Sequence, residues 1–249
     1  RYTSTTFGGE AAASESPTAS IYFNGTRVGY TRAPVMAAFS ARGPNPLSLD
    51  VLKPDFTAPG VNILAAWTAA SSATGIDEDK RRVLFNIISG TSMSCPHVAG
   101  LAALLKSAHP TWSPAAIKSA LMTTAKVEDD TGRPITDSAA GGADATPLGF
   151  GAGHVNPNAA LDPGLIYDID PQDYLNFLCA LNYNESMIAT FSSVFVCNHS
   201  HPRLGDLNYP SISAVFPQHG NVGSEMSAYS STFIRTVTNV GLPNSTYTV

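Results

Sequence analysis

Apolar positions along the chain fall into short runs that glycine, proline and polar residues interrupt. Residues 35–40, 61–67 and 83–88 are such runs, and their lengths and turn-residue boundaries are typical of buried strands. The second run follows a Pro-Gly turn and is apolar almost throughout, so we expect an interior strand of a parallel sheet. The third run ends near Gly90, where a helix that continues through Leu105 is predicted to begin.

Helix-start residues mark the next two helices. Ser113 and Pro114 are the residue types preferred at an N-cap and at the first helical position, so a helix is predicted from there to about Thr124. Asp170, which a proline follows, is predicted to cap a further helix that runs through Leu181.

Strand signals return at both ends of the chain. Residues 207–216 and 231–241 alternate apolar and polar side chains and are rich in β-branched and aromatic residues, so strands are predicted there. Near the start, residues 20–28 contain an Asn-Gly pair between two short apolar stretches, which predicts a small hairpin.

Composition places the chain among globular proteins and excludes several classes of function. Of its 249 residues, 43% are hydrophobic and 13% are charged, and the formal net charge is −5. The only basic cluster is at residues 80–82, so nothing predicts a nucleic-acid surface. No apolar run approaches the roughly 20 residues that span a bilayer. The sequence begins at Arg1 without a signal-peptide pattern, so we expect a processed chain or a fragment.

Four Asn-X-Ser/Thr sequons are spread along the chain. They begin at Asn24, Asn184, Asn198 and Asn244. Because such sequons accept N-linked glycans only in the secretory pathway, this number in a chain with few charges favours a secreted glycoprotein.

The three cysteines have different expected roles. Cys179 and Cys197 flank a short segment and could close a disulfide. Cys95 is then left over, and we expect it to be a small buried residue of the first predicted helix. Gly100 lies in the same helix, where a glycine would allow close packing of the helix on a sheet.

Ser92 lies where the third apolar run gives way to the first helix. Backbone N–H groups without partners point outward at a helix N-terminus, and the helix dipole favours negative charge there. A serine in this place could be a nucleophile beside oxyanion-binding N–H groups. It could equally be an ordinary N-cap, which is the more frequent role. The position of Ser92 alone favours the N-cap interpretation.

Residues 90–100 have the sequence Gly-Thr-Ser-Met-Ser-Cys-Pro-His-Val-Ala-Gly. This sequence resembles the nucleophile motif of subtilisin-like serine proteases, in the form found in plant subtilases. The resemblance implies that Ser92 is the nucleophile and that its backbone N–H contributes to the oxyanion hole. Further phrases similar to those of plant subtilases occur at residues 39–44, 52–60, 112–125 and 149–157. Arg42, in the first of these phrases, either contacts substrate or pairs with a carboxylate or caps its turn.

The resemblance also implies a fold and a domain organisation. The fold class is α/β: the C-terminal part of a subtilisin-like parallel-sheet domain, followed by the start of an all-β fibronectin-III-like domain. Residues 1–33 would end a protease-associated insert and return to the catalytic domain. Residues 34–181 would form the C-terminal part of that domain, residues 182–206 a linker, and residues 207–249 an incomplete fibronectin-III-like domain.

Two members of the expected catalytic triad are missing from this sequence. A nucleophilic serine needs a histidine base within about 3 Å, itself oriented by a carboxylate. None of the six histidines lies in a phrase similar to the family's histidine motif. His97 follows Ser92 by five residues, but on one helix its side chain points elsewhere, so we interpret it as a packing residue. No aspartate matches the family's aspartate motif, and the oxyanion asparagine is also absent.

Two hypotheses follow from the missing residues. The chain is either the C-terminal part of a subtilisin-type serine endopeptidase, or a non-catalytic subtilase-derived fragment with a storage, binding or inhibitory role. In the first case the triad histidine and aspartate would come from an N-terminal part of the same protease, which is either cleaved but still associated as a separate chain or absent. In both cases this chain alone is expected to be inactive.

The expected partners follow from the protease hypothesis. A polypeptide substrate is expected. Nucleic acid, a membrane and a cofactor are not expected as partners. The acidic residues 77–79 do not have the spacing of an EF-hand loop, and residues 197–201 do not match a zinc pattern, so no metal site is predicted. The expected location is extracellular, in the apoplast or cell wall.

Overall fold

The structure, a computed structural model, describes residues 32–197, 203–216 and 230–248. Its helices are α1 (Thr91–Ala108), α2 (Pro114–Thr123), α3 (Pro147–Phe150), α4 (Pro157–Ala160), α5 (Pro171–Ala180) and α6 (Glu185–Ile188). Its strands are β1 (Val35–Met36), β2 (Ile63–Ala66), β3 (Phe85–Ile88), β4 (Thr136–Asp137), β5 (Ala143–Asp144), β6 (Leu165–Ile166) and β7 (Thr238–Asn239). The hairpin predicted at residues 20–28 lies outside the described residues.

The strands form three small sheets. β1 pairs in parallel with β4, and β5 adds antiparallel to β4. β2 and β3 pair antiparallel, and so do β6 and β7. The prediction of an interior parallel strand at residues 61–67 is therefore wrong. The run pairs instead with the next apolar run along the chain, and Leu64 and Ile87 on this pair are 68% and 64% exposed.

The strand predicted at residues 35–40 is limited to β1. The chain turns directly after it, with the N–H of Ser40 donating to the carbonyl of Ala37 at 3.0 Å. The guanidinium of Arg42 donates to the carbonyls of both residues. These groups are engaged in the turn rather than in a strand ladder beyond Met36.

The predicted helix boundaries are confirmed where capping residues mark them. The hydroxyl of Ser113 accepts the N–H of Ala116 at 2.9 Å, and Pro114 begins α2. Asp170 and Asp173 form a reciprocal capping box at the start of α5. α1 continues through Leu105, as predicted, and ends at Ala108 with His109 as its C-cap.

The main core surrounds α2. Most of this helix is buried, and it packs with residues of α1, α4 and β6 in one cluster: Leu105, Trp112, Ala116, Ile117, Ala120, Leu121, Ala160 and Ile166. In α1, by contrast, only Leu105 is buried. The expected close packing at Gly100 is not found, because a Cβ there would meet no atom of the described residues within 4 Å.

The predicted disulfide is present, whereas the predicted burial of the third cysteine is wrong. Cys179 and Cys197 are bonded, with their Cα atoms 5.8 Å apart, and both are buried beside Leu175 and Ile188. Cys95 is exposed.

The C-terminal segments lie side by side with little regular strand. Of the strands predicted at 207–216 and 231–241, the described residues form only β7, which pairs with β6. Side chains join the two segments instead. The side-chain amide of Asn208 donates to the carbonyl of Thr236 and accepts its N–H, both at 2.8 Å. Arg235 donates to four backbone carbonyls, and three of them, including that of Tyr209, belong to residues 205–211.

Candidate active site

The predicted nucleophile lies inside the first turn of α1. The N-cap of this helix is Gly90, which has an extended backbone and no side-chain cap. Ser92 is therefore the second helical residue, and its side chain is exposed. The N-cap interpretation of Ser92 is wrong. The first N–H groups of a helix have no intrahelical acceptor, and no group of the described residues accepts the N–H of Ser92.

A neighbouring stretch of chain holds the turn that carries Ser92. We call residues 89–94 the nucleophile turn and residues 58–62 the support segment. The N–H of Gly90 donates to the carbonyl of Gly60 at 2.8 Å, and the hydroxyl of Ser94 donates to the carbonyl of Ala58 at 3.0 Å. A Cβ on Gly60 would lie 2.4 Å from the Ser94 Oγ, so this close approach requires glycine.

A cavity of about 740 Å³ adjoins the nucleophile turn. It is bounded by the loop after β1, the support segment and α1, and Ser94, Cys95 and His154 are among its lining residues. Ser92 is not one of them. The Nδ1 of His154 lies 3.3 Å from the Thr57 hydroxyl, and burial lowers the pKa of this histidine below its usual value.

The described histidines are engaged away from Ser92. The Nδ1 of His97 lies 2.8 Å from the carbonyl of Met93, one turn earlier in α1, and the ring is half-buried. His109 stacks on Trp112 with ring centroids 3.8 Å apart. Among the described residues, no histidine is hydrogen-bonded to Ser92. The remaining three histidines, His199, His201 and His219, lie outside the described residues.

Arg42 makes a paired contact with a carboxylate. Its Nη2 lies 2.6 Å from Oδ1 of Asp137, and its Nε donates to Oδ2 at 3.1 Å. The guanidinium holds the pKa of Asp137 below its usual range. The interpretation of Arg42 as a carboxylate partner is confirmed, and the pair fixes the turn after β1 beside the cavity.

The described residues also show what surrounds the site. They contain no grouping of three His, Cys, Asp or Glu side chains that could hold a metal ion. Within the same ranges, no helix has both the length and the apolar character needed to cross a bilayer. The described sequons begin at Asn184 and Asn244, and both asparagines are exposed. The side-chain carbonyl of Asn184 caps α6. Asn24 and Asn198 lie outside the described residues.

Comparison with known proteins establishes the family. The family model described as the subtilase family matches residues 7–153. This chain belongs to the subtilase family. Two similar proteins of Arabidopsis thaliana are subtilisin-like protease SBT1.5, 52% identical over 243 residues, and SBT1.3, 54% identical over 242 residues. Each alignment covers 96% of this chain. Subtilisin-like protease Glyma18g48580 of Glycine max is 52% identical over 227 residues, which are 90% of this chain.

The comparisons confirm the resemblance to plant subtilases that residues 90–100 predicted. The mixed α/β content with small sheets is consistent with part of a subtilase domain. The chain spans about a third of these relatives, since the three alignments cover 31%, 30% and 27% of their lengths. Sequence reasoning missed the support segment. Its one local signal is the Pro-Gly pair at residues 59–60, which by itself indicates only a turn.

Proposed function

We propose that this chain carries the nucleophile of a plant serine endopeptidase, and that Ser92 is that nucleophile. The observation that carries the proposal is the position of Ser92 in the first turn of a subtilase-type helix without a side-chain cap. There the exposed hydroxyl stands beside its own N–H, which no described group accepts. The helix dipole adds positive potential at this end.

The proposed reaction is acyl transfer through Ser92. Its Oγ forms a bond to the carbonyl carbon of the scissile peptide while its proton passes to a histidine base. The Ser92 N–H donates to the oxyanion that develops. The C–N bond then breaks as the histidine returns the proton to the leaving amine. Water then adds to the acyl carbon while its proton passes to the histidine, and the acyl C–Oγ bond breaks as the histidine returns that proton to the Oγ of Ser92.

The histidine, the orienting aspartate and the oxyanion asparagine are proposed to come from an N-terminal part of the same protease. The relatives are about three times as long as this chain. An unusually apolar exposed surface supports the proposal. Leu64, Phe85, Ile87 and Leu104 are all more than 60% exposed, and the space beside Gly100 is open. Soluble domains seldom leave so many large apolar side chains uncovered, so further polypeptide is expected to pack there.

The domain organisation and location extend this proposal. Residues 34–181 would belong to the catalytic domain, 182–206 to a disulfide-containing linker and 207–249 to the start of a fibronectin-III-like domain, with 1–33 returning from a protease-associated insert. The exposed Asn184 and Asn244 and the Cys179–Cys197 disulfide support a secreted glycoprotein that acts on polypeptides. Because the side-chain oxygen of Asn184 makes the capping hydrogen bond, its side-chain nitrogen remains free for a glycan. No observation on the described residues favours the non-catalytic alternative.

Substitution of the nucleophile tests the proposal. In the full-length protease, Ser92→Ala is expected to lower kcat by at least about 10³-fold, because removing a triad nucleophile leaves only binding and oxyanion stabilisation. Ser107→Ala is the matched control, since Ser107 is an exposed serine of the same helix. A fluorophosphonate should label the full-length protease at Ser92 and leave this chain alone unlabelled. Near wild-type activity of Ser92→Ala would remove Ser92 from its role.

A further inference from the structure

Hydrogen bonds between the support segment and the nucleophile turn lie on both sides of Ser92. Two residues before it, the N–H of Gly90 donates to Gly60. Two residues after it, the hydroxyl of Ser94 donates to the carbonyl of Ala58. A third contact precedes both, since the N–H of Asn62 donates to the hydroxyl of Ser89 at 2.8 Å. The turn is thus fixed at its start by the Ser89 hydroxyl and the Gly90 N–H, and at its end by the Ser94 hydroxyl.

Ser94 holds the side of α1 that faces away from Ser92. Residues two apart on a helix differ by about 200° in direction, so their side chains do not face each other. The Ser94 side chain reaches the support segment and the adjoining cavity, whereas Ser92 does not line that cavity. The hydroxyl of Ser94 can therefore set the orientation of the first turn without occupying the space that a substrate needs at Ser92.

The support segment is itself tied to the interior. Just before it, the N–H of Thr57 donates to the carbonyl of Gly153 at 2.8 Å, and its carbonyl accepts the N–H of Val155 at 2.9 Å. The carbonyl of Asp55 accepts the N–H of Ala152 at 2.9 Å. Ala58, which accepts the Ser94 hydroxyl, follows directly after this ladder. The hydrogen bond from Ser94 to Ala58 thus anchors the start of α1 to a part of the chain that these backbone hydrogen bonds hold in place.

We propose that Ser94 is a positioning residue for the nucleophile. Its hydrogen bond to Ala58 fixes the first turn of α1 and, through it, the location of the Ser92 Oγ and N–H. The inference rests on the proposed peptidase function and adds a residue to it. Catalysis depends on sub-ångström placement of the nucleophile, and a shift of about 1 Å can lower the rate by about 10²-fold.

The test is the Ser94→Ala variant of the full-length protease. We expect kcat to fall by about 10- to 100-fold while KM changes less than about twofold, because only the reacting group is displaced. Alanine has a higher helix propensity than serine, so loss of α1 is not expected. The rate of fluorophosphonate labelling, normalised to titrated active sites, should fall in parallel. Ser107→Ala again serves as the control on the same helix.

Two further variants separate positioning from general destabilisation. Ser94→Thr keeps the hydroxyl, and the adjoining cavity can receive its methyl group, so it should restore most of kcat. Gly60→Ala presses a Cβ against the Ser94 Oγ and the Gly90 carbonyl, at 2.4 and 2.8 Å, and should lower kcat although Ser94 is present.

The outcomes distinguish this inference from the proposed function. If Ser92→Ala is inactive and Ser94→Ala keeps kcat within twofold of wild type, the positioning role is overturned and the peptidase proposal stands. The positioning role is also overturned if Ser94→Ala lowers activity only because fewer protein molecules have a titratable active site. If Ser92→Ala remains active, the proposed function itself fails.

Discussion

The phenol of Tyr209 donates a hydrogen bond to the carboxylate of Asp55, which precedes it by 154 residues. Tyr209 is 5% exposed, and the ammonium groups of Lys53 and Lys118 lie 5.2 and 5.3 Å from the centre of its ring. Lys53 also donates to the phenol oxygen at 2.8 Å and to the Asp55 carboxylate at 2.6 Å. This cluster joins the C-terminal part of the chain to the stretch that leads into the support segment.

Removing the phenol hydroxyl should weaken this connection. We expect Tyr209→Phe to lower the free energy of unfolding by about 1–3 kcal/mol, because a buried hydrogen bond to a charged group is lost. Asp55 keeps its contact with Lys53, so the carboxylate is not left without any partner. The measurement is the urea midpoint of the full-length protein. Tyr183→Phe is the control, since Tyr183 is 38% exposed; an equal effect of both variants would contradict the prediction.

The sequence predicts local features of this fold better than its long-range pairings. The starts of α2 and α5 could be predicted because Ser113 and Asp170 act on N–H groups two or three residues away. The family of residues 90–100 could be predicted because the motif is contiguous. The Cys179–Cys197 pair was a candidate because its loop is short.

Features that depend on distant parts of the chain could not be predicted. An apolar run indicates burial but does not show which strand it pairs with. The antiparallel pairing of β2 with β3 therefore could not be predicted. The exposure of Cys95 was missed because burial of a helix face depends on what packs against it. The contact of Ser94 with Ala58 spans 36 residues and has no local pattern. The candidate site was therefore only half predictable: the candidate nucleophile has a local motif, but the segment that supports it does not.

Arg42 and Asp137 make a second connection whose removal can be predicted. Their side chains are 26% and 11% exposed, and the guanidinium makes two hydrogen bonds to the carboxylate. Arg42→Ala should lower the free energy of unfolding by about 1.5–3 kcal/mol, because the largely buried carboxylate loses its charged partner. Arg42→Lys should recover part of this loss, since lysine keeps the charge but not the planar fork.

An exposed ion pair provides the control for this experiment. Arg81 contacts Asp79 at 2.8 Å, but its side chain is 66% exposed. Arg81→Ala is therefore expected to change the unfolding free energy much less than Arg42→Ala does. Chemical denaturation of the full-length variants measures both effects. A smaller loss for Arg42→Ala than for Arg81→Ala would contradict the assignment.

His154 should make stability depend on pH in the weakly acidic range. Burial lowers its pKa, so the folded protein disfavours the charged imidazolium. Below about pH 6.5, the usual value for an unfolded chain, the unfolded state binds more protons than the folded state at this residue. Stability therefore rises with pH there: the contribution of His154 is complete above that range and is lost as the pH falls.

A substitution isolates this contribution from other titrating groups. His154→Gln keeps a polar side chain near Thr57 but does not titrate, so its thermal midpoint should fall less than that of the wild type between pH 7 and pH 5. The difference between the two proteins, measured in full-length protease at half-unit steps, should be nearly constant above pH 7 and change below it. A difference that does not vary from pH 5 to pH 8 would show that His154 has the same proton affinity in both states. Burial beside the nucleophile turn would then have no effect on its charge.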